Sequence, residues 1–288
     1  MSTTHAAPVA VVRVPTRGAA GELRAVKIVW QREVIRFFDD RMRLITSLIQ
    51  PFAFLFVLGT GLSSLTSART DGLNLRTFMY PGILAMSVLF TAMFSAASIV
   101  WDREFGFLRE MLVAPVRRAS IVIGKCLGGA TVAALQGVVV IAVAGLVGVP
   151  YDPLLILAVL GLQLLLAFSL TAFGLMVAVR ITQMQTFMAL TQLLVMPLFF
   201  ISGAIFPVSG LPTWLAVLNR IDPLTYAVDP MRHVVFAHLT ISDKVRQALD
   251  PGVFWGSWHV PPVFEAVIVL ALGLALLGVA IVEFSRSE

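Results

Sequence analysis

The sequence predicts an all-α polytopic membrane protein with six transmembrane helices. Of its 288 residues, 58% are hydrophobic and only 13% are charged, whereas a soluble domain has about 25% charged residues. The apolar residues are concentrated in six runs with at most one charged residue each, most of them about as long as the roughly 20 residues that a bilayer core requires. No soluble core could bury this much apolar surface, so we exclude an ordinary soluble enzyme.

The six predicted spans belong to one transmembrane domain, residues 44–284. We expect them at residues 44–65, 78–100, 121–149, 154–179, 187–201 and 262–281. The fifth run is only marginally long enough to cross a bilayer and needs another structural explanation. An even number of spans places both termini on one side, including a C-terminus of residues 285–288.

Basic residues indicate which side is cytoplasmic. Most Lys and Arg residues precede the first span or lie between the second and third spans, and such residues accumulate in cytoplasmic loops. We therefore expect both termini in the cytoplasm. As a separate expectation, we assign this multi-pass protein to the plasma (inner) membrane of a bacterium. The net charge of +5 reflects this cytoplasmic excess, so we expect no nucleic-acid partner.

Two different segments precede the first span. Residues 1–20 predict a disordered cytoplasmic tail, and they lack the apolar core of a signal peptide. Residues 21–43 predict an amphipathic helix, because apolar residues recur at spacings of three and four among charged residues. Its defining positions are Trp30, Arg32, Glu33 and Phe37. Direct fusion to the first span favours a helix in the membrane interface, and a soluble surface helix is the alternative.

A short cytoplasmic helix is predicted between the second and third spans. Leu108, Met111 and Leu112 lie on one face of it, with charged residues beside them. Pro115 prevents the helix from continuing. A short helix of this kind fits a docking element for a cytoplasmic partner with a groove. The alternative is an interfacial loop that only reverses the chain.

The segment after the fifth span predicts short re-entrant helices on the outer face. Gly203 and Pro207 interrupt the helix there, and Trp214 suits a membrane interface. Non-helical chain at membrane depth is tolerated only where protein or a water-filled cavity satisfies its backbone. We therefore expect these helices to cap a central path. An amphipathic loop on the outer leaflet is the alternative.

Polar residues form seams on two of the spans. Ser87, Thr91 and Ser95 recur on one face of the second span, and Gln185 and Gln192 lie two turns apart in the fifth. Such seams face a partner helix or a cavity rather than lipid. The small serines favour close helix packing, while the bulkier glutamines favour a translocation path or a dimer interface.

The sequence contains no recognisable catalytic or metal-binding motif. The four histidines form no HExxH motif, and Gly124–Lys125 lacks the flanking residues of a phosphate-binding loop. The single cysteine, Cys126, excludes an internal disulfide and a cysteine-based metal cluster. Glu265 and Glu283 lie near the ends of the last span, which argues against an ion-coupled transporter. We therefore expect no catalytic residue and no metal site.

The cytoplasmic loop resembles the coupling helix of ABC-2 type (type V) ABC transporter permeases. The family pattern resembles R-E-x-G-x-L-x-x-L-L-x-x-P-x-x-R. The matching positions are Arg103, Glu104, Gly106, Leu108, Met111, Leu112, Pro115 and Arg118. Phe107 replaces the Thr that often follows the glycine, and the loop resembles the branch with daunorubicin-resistance and nodulation-type exporters.

A second motif, between the fifth and sixth spans, resembles the same family. Its pattern resembles S-G-x-x-F-P-x-x-x-L-P-x-W, followed by P-L-T-Y and a later Arg. The matching positions are Ser202, Gly203, Phe206, Pro207, Leu211, Pro212, Trp214, Pro223, Leu224, Thr225, Tyr226 and Arg232. With six spans and two ordered motifs, the resemblance covers nearly the whole chain after residue 20.

The resemblance implies the membrane subunit of an ATP-driven exporter. Its partners would be separate cytoplasmic ABC ATPase subunits that bind ATP and Mg, so this chain would need no cofactor of its own. A second permease, identical or a sister chain, would pair with it, and the second and fifth spans would face the dimer axis. Closure of the ATPase dimer would move the segment from Arg103 to Pro115, braced by the helix around Trp30.

The weakly polar spans suggest a hydrophobic or amphipathic cargo, such as a drug, a lipid or a glycolipid, in contact with membrane lipids. Two other classes compete with this hypothesis. One is an intramembrane lipid-modifying enzyme, which would require convergent titratable groups that the sequence does not display. The other is a non-transporting membrane anchor of an ATPase.

Overall fold

The computed structural model describes residues 18–61, 75–113, 116–206, 212–239, 242, 246, 249–255 and 258–287. Six helices within these residues are long and apolar enough to cross a membrane, which confirms the prediction of a polytopic helical membrane protein. We number them as spans 1 to 6. Their bounds are Leu44–Gly61, Leu75–Glu104, Arg118–Ile141, Pro153–Val179, Met184–Ile201 and Pro262–Arg286.

Spans 2, 3 and 4 form the centre of the bundle. Span 2 has the largest buried fraction of the six, and buried apolar side chains follow it from Phe78 to Met93. Span 4 packs against both span 2 and span 6. Spans 1, 5 and 6 are much less buried. Their apolar surfaces are therefore available to lipid or to a second chain.

Span 1 is the least regular of the helices. It lies within a helical stretch that starts three residues earlier, made of the α-helix Arg41–Ala53, a π-helical turn at Phe54–Leu58 and a last turn at Gly59–Gly61. Pro51 lies inside the helix, where it has no N–H to donate. A proline three residues before a π-helical turn is a common cause of a local bend.

The N-terminal helix, Ala19–Asp39, packs along span 3. Gly124 and Gly128 of span 3 permit this close approach. A Cβ atom at Gly128 would lie 2.6 Å from Glu33 Cβ, and one at Gly124 would lie 2.7 Å from Val29 Cβ. The spacing of these two glycines therefore serves helix packing, as small residues four apart often do.

Two helices end before the residue that the sequence pattern predicts. The N-terminal helix ends at Asp39 instead of residue 43, because Asp40 leaves helical geometry. Span 3 ends at Ile141 instead of residue 149, and a 3₁₀ turn at Ala144–Val147 follows it. Hydropathy cannot separate an apolar loop from an apolar helix. Of the predicted tail, residues 1–17 lie outside the described residues.

The chain between spans 5 and 6 contains short elements only. They are the helices Thr213–Ile221 and Thr225–Ala237 and an antiparallel hairpin of β1 (Phe254–Trp255) and β2 (Trp258–His259). The segment directly after span 5 packs on span 2, where Gly82 has no side chain and admits the backbone of Ala204. The two helices occupy the interval for which re-entrant helices are predicted.

Candidate functional site

Arg103, near the end of span 2, binds the end of span 4. Its Nη1 donates to the carbonyl oxygens of Val179 and Ile181, at 2.9 and 2.8 Å. The last carbonyls of a helix lack partners within the helix, and the negative end of the helix dipole attracts a cation. Arg103 therefore satisfies acceptors that span 4 leaves unpaired.

Glu104, the last residue of span 2, binds the beginning of span 5. Its Oε2 accepts a hydrogen bond of 2.9 Å from the backbone N–H of Met184, the first residue of that helix. A carboxylate in this position satisfies one of the unpaired amides and interacts favourably with the helix dipole. The Arg103–Glu104 pair thus connects span 2 to both ends of the loop between spans 4 and 5.

The short helix Phe107–Val113 is anchored to its own chain by Leu108. The Leu108 side chain is only 2% exposed and packs among core residues of spans 2, 3 and 4. The exposed apolar surface of this segment is formed instead by Phe105, Phe107 and Val113. The outward-facing side chains therefore differ from the predicted docking face, which includes Leu108.

The other positions of the loop motif have separate roles. Gly106 has a φ of 83°, which few residues other than glycine adopt, and the chain turns there out of span 2. Met111 Sδ accepts a hydrogen bond of 3.2 Å from Arg32 Nη1. Arg118 Nη1 donates to a carbonyl oxygen at the end of span 6 at 2.9 Å. Pro115 and the side chain of Leu112 are not part of the described structure.

A buried charge network joins the N-terminal helix to spans 2 and 3. Lys125 Nζ donates to Asp102 Oδ2 at 2.6 Å and to Glu33 Oε1 at 2.9 Å. It also donates to Ser98 Oγ at 3.0 Å. Arg32 Nη2 donates to the same Asp102 oxygen at 2.5 Å. The side chains of Lys125, Asp102 and Glu33 are almost fully buried, so their charges are compensated by one another rather than by water.

Half of this network is not apparent from the sequence. The amphipathic pattern singles out Arg32 and Glu33, but Asp102 and Lys125 are not among the predicted site residues. A basic residue within the apolar run of span 3 is the signal that could have identified Lys125, since such a charge is normally paired. Its partner Asp102 lies 23 positions earlier in the chain, and only the packing of two spans brings them together.

The aromatic positions of the N-terminal helix also face the chain. Trp30 Nε1 donates to Thr131 Oγ1 at 3.0 Å, and Phe37 is buried. Near the beginning of the helix, Glu22 accepts a hydrogen bond of 3.0 Å from the backbone N–H of Arg117, just before span 3. The helix is therefore held near its beginning, at the residue that precedes span 3, and at its middle, on span 3 itself.

The polar seam of span 2 is divided between packing and a cavity. Thr91 and Ser95 line a cavity of about 490 Å³ between the N-terminal helix and spans 1, 2, 3 and 5. Ser87 is buried and donates to a carbonyl of its own helix at 2.8 Å. Gln185 and Gln192 lie on the exposed face of span 5, and the described lining of the cavity does not include them.

Arg232, on the helix Thr225–Ala237, holds the segment that follows span 5. Its side chain is buried, and Nη2 donates to the Gly203 carbonyl at 2.6 Å. Its guanidinium carbon lies 4.5 Å from the centre of the Phe78 ring in span 2. A buried guanidinium over an aromatic ring is a stabilising cation–π contact. Arg232 therefore connects the end of span 5 to span 2.

The predicted gate residues differ in exposure. Tyr226 is buried, and its hydroxyl accepts a hydrogen bond of 2.9 Å from Trp255 Nε1. Pro223 is half-buried, and the exposed positions are Phe206, Pro212 and Trp214. Pro207 lies outside the described residues. The exposed aromatic side chains leave this segment with an apolar outer surface of the kind found at a membrane interface.

Several carboxyl groups near the second motif are buried, which the sequence did not indicate. Burial, together with the charge of Asp250, raises the pKa of Asp229 to about 6. Burial also raises the pKa of Asp222 to about 7. Both groups therefore hold protons at a pH at which an exposed aspartate is ionised. Within the described part of the chain, no group of three or more His, Cys, Asp or Glu residues is placed to hold a metal ion.

Comparison with known proteins identifies relatives of this chain. The family model for ABC-2 type transporters matches residues 24–236. The chain is 31% identical over 193 residues to a putative transport permease ycf38 of Cyanophora paradoxa, covering 66% of each protein. It is 29% identical over 213 residues to Nodulation protein J of Rhizobium leguminosarum bv. trifolii, covering 73% of this chain and 80% of the relative. A probable multidrug ABC transporter permease, YbhR of Escherichia coli, is 29% identical over 182 residues, or 62% of this chain and 49% of the relative.

Proposed function

Since the chain belongs to the ABC-2 type transporter family, we propose that it is the membrane-spanning permease subunit of an ATP-driven exporter. The family and the relatives named as transport permeases support a transport subunit and confirm the resemblance seen in the motifs. In this proposal, separate ABC ATPase subunits bind ATP and Mg in the cytoplasm. The permease works in the plasma membrane, paired with a second permease, and moves a hydrophobic or amphipathic cargo such as a drug, lipid or glycolipid.

The contacts of Arg103 and Glu104 support this proposal most directly. We call residues 101–118, from the end of span 2 to the start of span 3, the 101–118 segment. Arg103 and Glu104 connect it to spans 4 and 5, and Arg118 connects its far end to span 6. A force applied to the segment when the ATPase dimer closes would move these spans together, because packed helices shift as rigid bodies. The cargo would then bind the two arrangements with different affinity, as any such shift requires.

The N-terminal helix would brace this movement from the membrane interface. Arg32 joins it to Asp102 of span 2, and Glu33 joins it to Lys125 of span 3. Breaking one partner of a buried ion pair leaves an uncompensated charge, which is strongly unfavourable. The helix and the cytoplasmic ends of spans 2 and 3 would therefore move as one unit.

The ATPase subunit would dock on the exposed apolar side chains of the 101–118 segment. Phe105 is 65% exposed and Val113 is 85% exposed, and Phe107 is exposed between them. Large apolar side chains beside charges form a surface suited to a groove in a partner. On the opposite face, the helices Thr213–Ile221 and Thr225–Ala237 would form re-entrant elements that gate the exit.

The second permease would cover the exposed face of span 5. Gln185 and Gln192 both lie on that face. An exposed glutamine on an apolar span is costly in lipid, so a partner helix or a polar path is the favourable environment for it. The pair would be formed with an identical or a sister chain.

Co-purification with an ABC ATPase subunit tests the proposed function. The tagged chain is expressed with candidate ATPase subunits from the same cell, and the complex is assayed in liposomes for ATP hydrolysis and cargo movement. Replacing Phe105 and Phe107 by Ser should lower ATPase recovery at least tenfold, because losing aromatic anchors at an interface costs about 2 kcal/mol or more. Leu146→Ser, at an exposed apolar position after span 3, is the matched control and should retain full recovery. The proposal would be contradicted if the double variant recovered as much ATPase subunit as the wild type, or if no ATP-binding subunit co-purified with the wild type.

A further inference from the structure

The cavity beside the charge network has the size and walls of a ligand site. Its volume of about 490 Å³ falls in the range of pockets for drug-sized molecules. The apolar part of its wall includes aromatic and thioether side chains. Among them are Phe37, Phe90, Phe94, Trp101, Met184 and Met188. Flexible methionines next to aromatic rings adapt well to an alkyl chain.

Hydroxyl groups line the part of the cavity between spans 1 and 2. Thr46 and Ser47 come from span 1, and Thr91 and Ser95 come from span 2. Thr91 is only 4% exposed, and its hydroxyl has no hydrogen-bond partner among the described residues. Leaving a buried hydroxyl unpaired is unfavourable, and a polar group of a bound ligand would relieve this cost.

Arg36 provides a positive charge in the wall of the cavity. Its Nη1 lies 3.5 Å from Asp102 Oδ1, and its guanidinium carbon lies 5.3 Å from the centre of the Trp101 ring. Asp102 is already bound through Oδ2 by Arg32 at 2.5 Å and by Lys125 at 2.6 Å. Of these three cations, Arg36 therefore has the longest contact with the shared carboxylate. A guanidinium has five N–H donors, so Arg36 can bind a further anion.

The charges around Arg36 favour an anion. Three cations, including Arg36, surround only two buried carboxylates, those of Asp102 and Glu33. Asp40 also lines the cavity, but it is exposed, where water and salt screen its charge. The Arg36 side chain is 37% exposed and reaches the cavity. An anionic group on Arg36 would balance the positive charge that the two buried carboxylates leave over.

From this geometry we propose that the cavity binds a single-chain amphiphile with an anionic phosphate or carboxylate headgroup. The headgroup binds Arg36 beside Trp101, the alkyl chain lies among the apolar side chains, and Thr91 hydrogen-bonds the linkage between them. The volume of about 490 Å³ suits an apolar part made of one chain. The role of this site as the entry point of the cargo rests on the proposed function, whereas the binding itself does not.

Photolabelling of the purified chain, without an ATPase subunit, tests the binding. The chain is placed in nanodiscs of zwitterionic phospholipid and labelled with an alkyl phosphate that has a diazirine at the end of its chain. We expect labelled peptides around Phe94 and Met188, and competition by dodecyl phosphate. Competition by inorganic phosphate would indicate a site for free phosphate. If uncharged dodecyl maltoside competed as well as dodecyl phosphate, the cavity would not select for an anionic headgroup. Either result would overturn the proposal.

Variants of Arg36 test the recognition of the headgroup. Arg36→Gln should lower labelling about tenfold, because hydrogen bonds between ions are among the strongest polar contacts. Arg36→Lys keeps the charge and should restore part of the labelling. Arg24→Gln, at an exposed arginine of the same helix, is the matched control and should label like the wild type. Equal labelling of the wild type and Arg36→Gln would overturn the proposal.

A second variant leaves the charges unchanged. Thr46 is exposed at the wall of the cavity, so Thr46→Trp should fill the space without disturbing the core, and labelling should be lost. Labelling that persists in Thr46→Trp would place the probe elsewhere. If the monomeric chain were labelled and the dimeric chain were not, a second copy of the chain would fill the cavity in the dimer. Both outcomes would overturn the proposal.

The cavity and the exporter proposals fail in distinguishable ways. If the chain co-purifies with an ATPase subunit and moves cargo but is not labelled, only the cavity proposal is overturned. If the chain is labelled as expected but binds no ATPase subunit, the cavity proposal stands and the exporter proposal is overturned.

Discussion

Lys125 of span 3 and Asp102 of span 2 form a buried ion pair with an N–O distance of 2.6 Å. Asp102 directly precedes Arg103 and Glu104, which bind the loop between spans 4 and 5. Lys125 also binds Glu33 of the N-terminal helix. The pair therefore lies where the N-terminal helix, two central spans and the 101–118 segment meet, and changing it should affect stability.

Removing the lysine charge should destabilise the fold. Lys125→Met should lower the free energy of unfolding by about 3 kcal/mol, because Asp102 and Glu33 would stay buried with less compensation. The double variant Lys125→Met/Glu33→Met removes opposite charges together, so it should cost less than the sum of its single changes. Urea unfolding in detergent measures these differences. Arg180→Met breaks the exposed pair with Glu283 and is the control, for which we expect a smaller loss. Equal losses at positions 125 and 180 would contradict the importance of burial.

Removing the cap on span 5 should uncouple cargo movement from ATP hydrolysis. Glu104→Ala deletes the acceptor for the Met184 N–H and should cost about 1 kcal/mol of stability, as the loss of a helix cap does. In proteoliposomes with the ATPase subunit, cargo moved per ATP hydrolysed should fall while the subunits remain associated. Glu110→Ala, at an exposed carboxylate of the same segment, should keep the wild-type ratio. An unchanged ratio in Glu104→Ala would show that this contact does not transmit the movement.

Adding one methyl group should separate the N-terminal helix from span 3. In Gly128→Ala the new Cβ would lie 2.6 Å from Glu33 Cβ, so the helix must shift at a cost of about 1–3 kcal/mol. Gly161→Ala, in span 4, is the control, because an added Cβ there meets no described atom within 4 Å. Alanine also favours a helix over glycine, so this control should be neutral or slightly stabilised. Denaturation midpoints of the two variants give the comparison, and equal midpoints would contradict the close approach.

Stability should decrease as the pH rises, in part because of Asp222. Burial raises its pKa from 3.8 to about 7, so the folded state keeps a proton that the unfolded state releases. Its stabilising contribution is complete below pH 3.8 and is lost as the pH rises towards about 7. Asp222→Asn is always neutral and keeps an oxygen for the Leu224 N–H, so its melting temperature should vary less with pH. Melting curves between about pH 4 and pH 8 test this, and parallel profiles would rule it out.

The membrane-spanning character of the chain could be predicted because hydropathy is a local property. The run at residues 154–179 agrees closely with span 4, Pro153–Val179. The run at residues 121–149 extends past the end of span 3, because the turn at Ala144–Val147 is as apolar as the helix before it. Apolar runs therefore locate spans well but cannot tell where a helix ends.

The contacts of the candidate site were much less predictable. Arg103 and Glu104 were identified through a motif, but the backbone groups that they bind lie 76 to 80 positions further along the chain. Leu108 was expected on a docking face and is buried instead. Spacing along a helix defines a face, but it does not tell whether that face meets its own chain or another protein.

By itself, the sequence determined that this chain is a six-span membrane protein with two motifs that resemble those of its family. These features depend on residues close together in the chain, namely apolar runs, helix breakers and short motifs. Only the tertiary structure decided that Lys125 pairs with Asp102 and Glu33, and that Arg36 faces a cavity lined by Thr91. The physical reason is that buried charges and hydroxyls are satisfied by whichever partners packing brings within about 3 Å, regardless of their separation in the sequence.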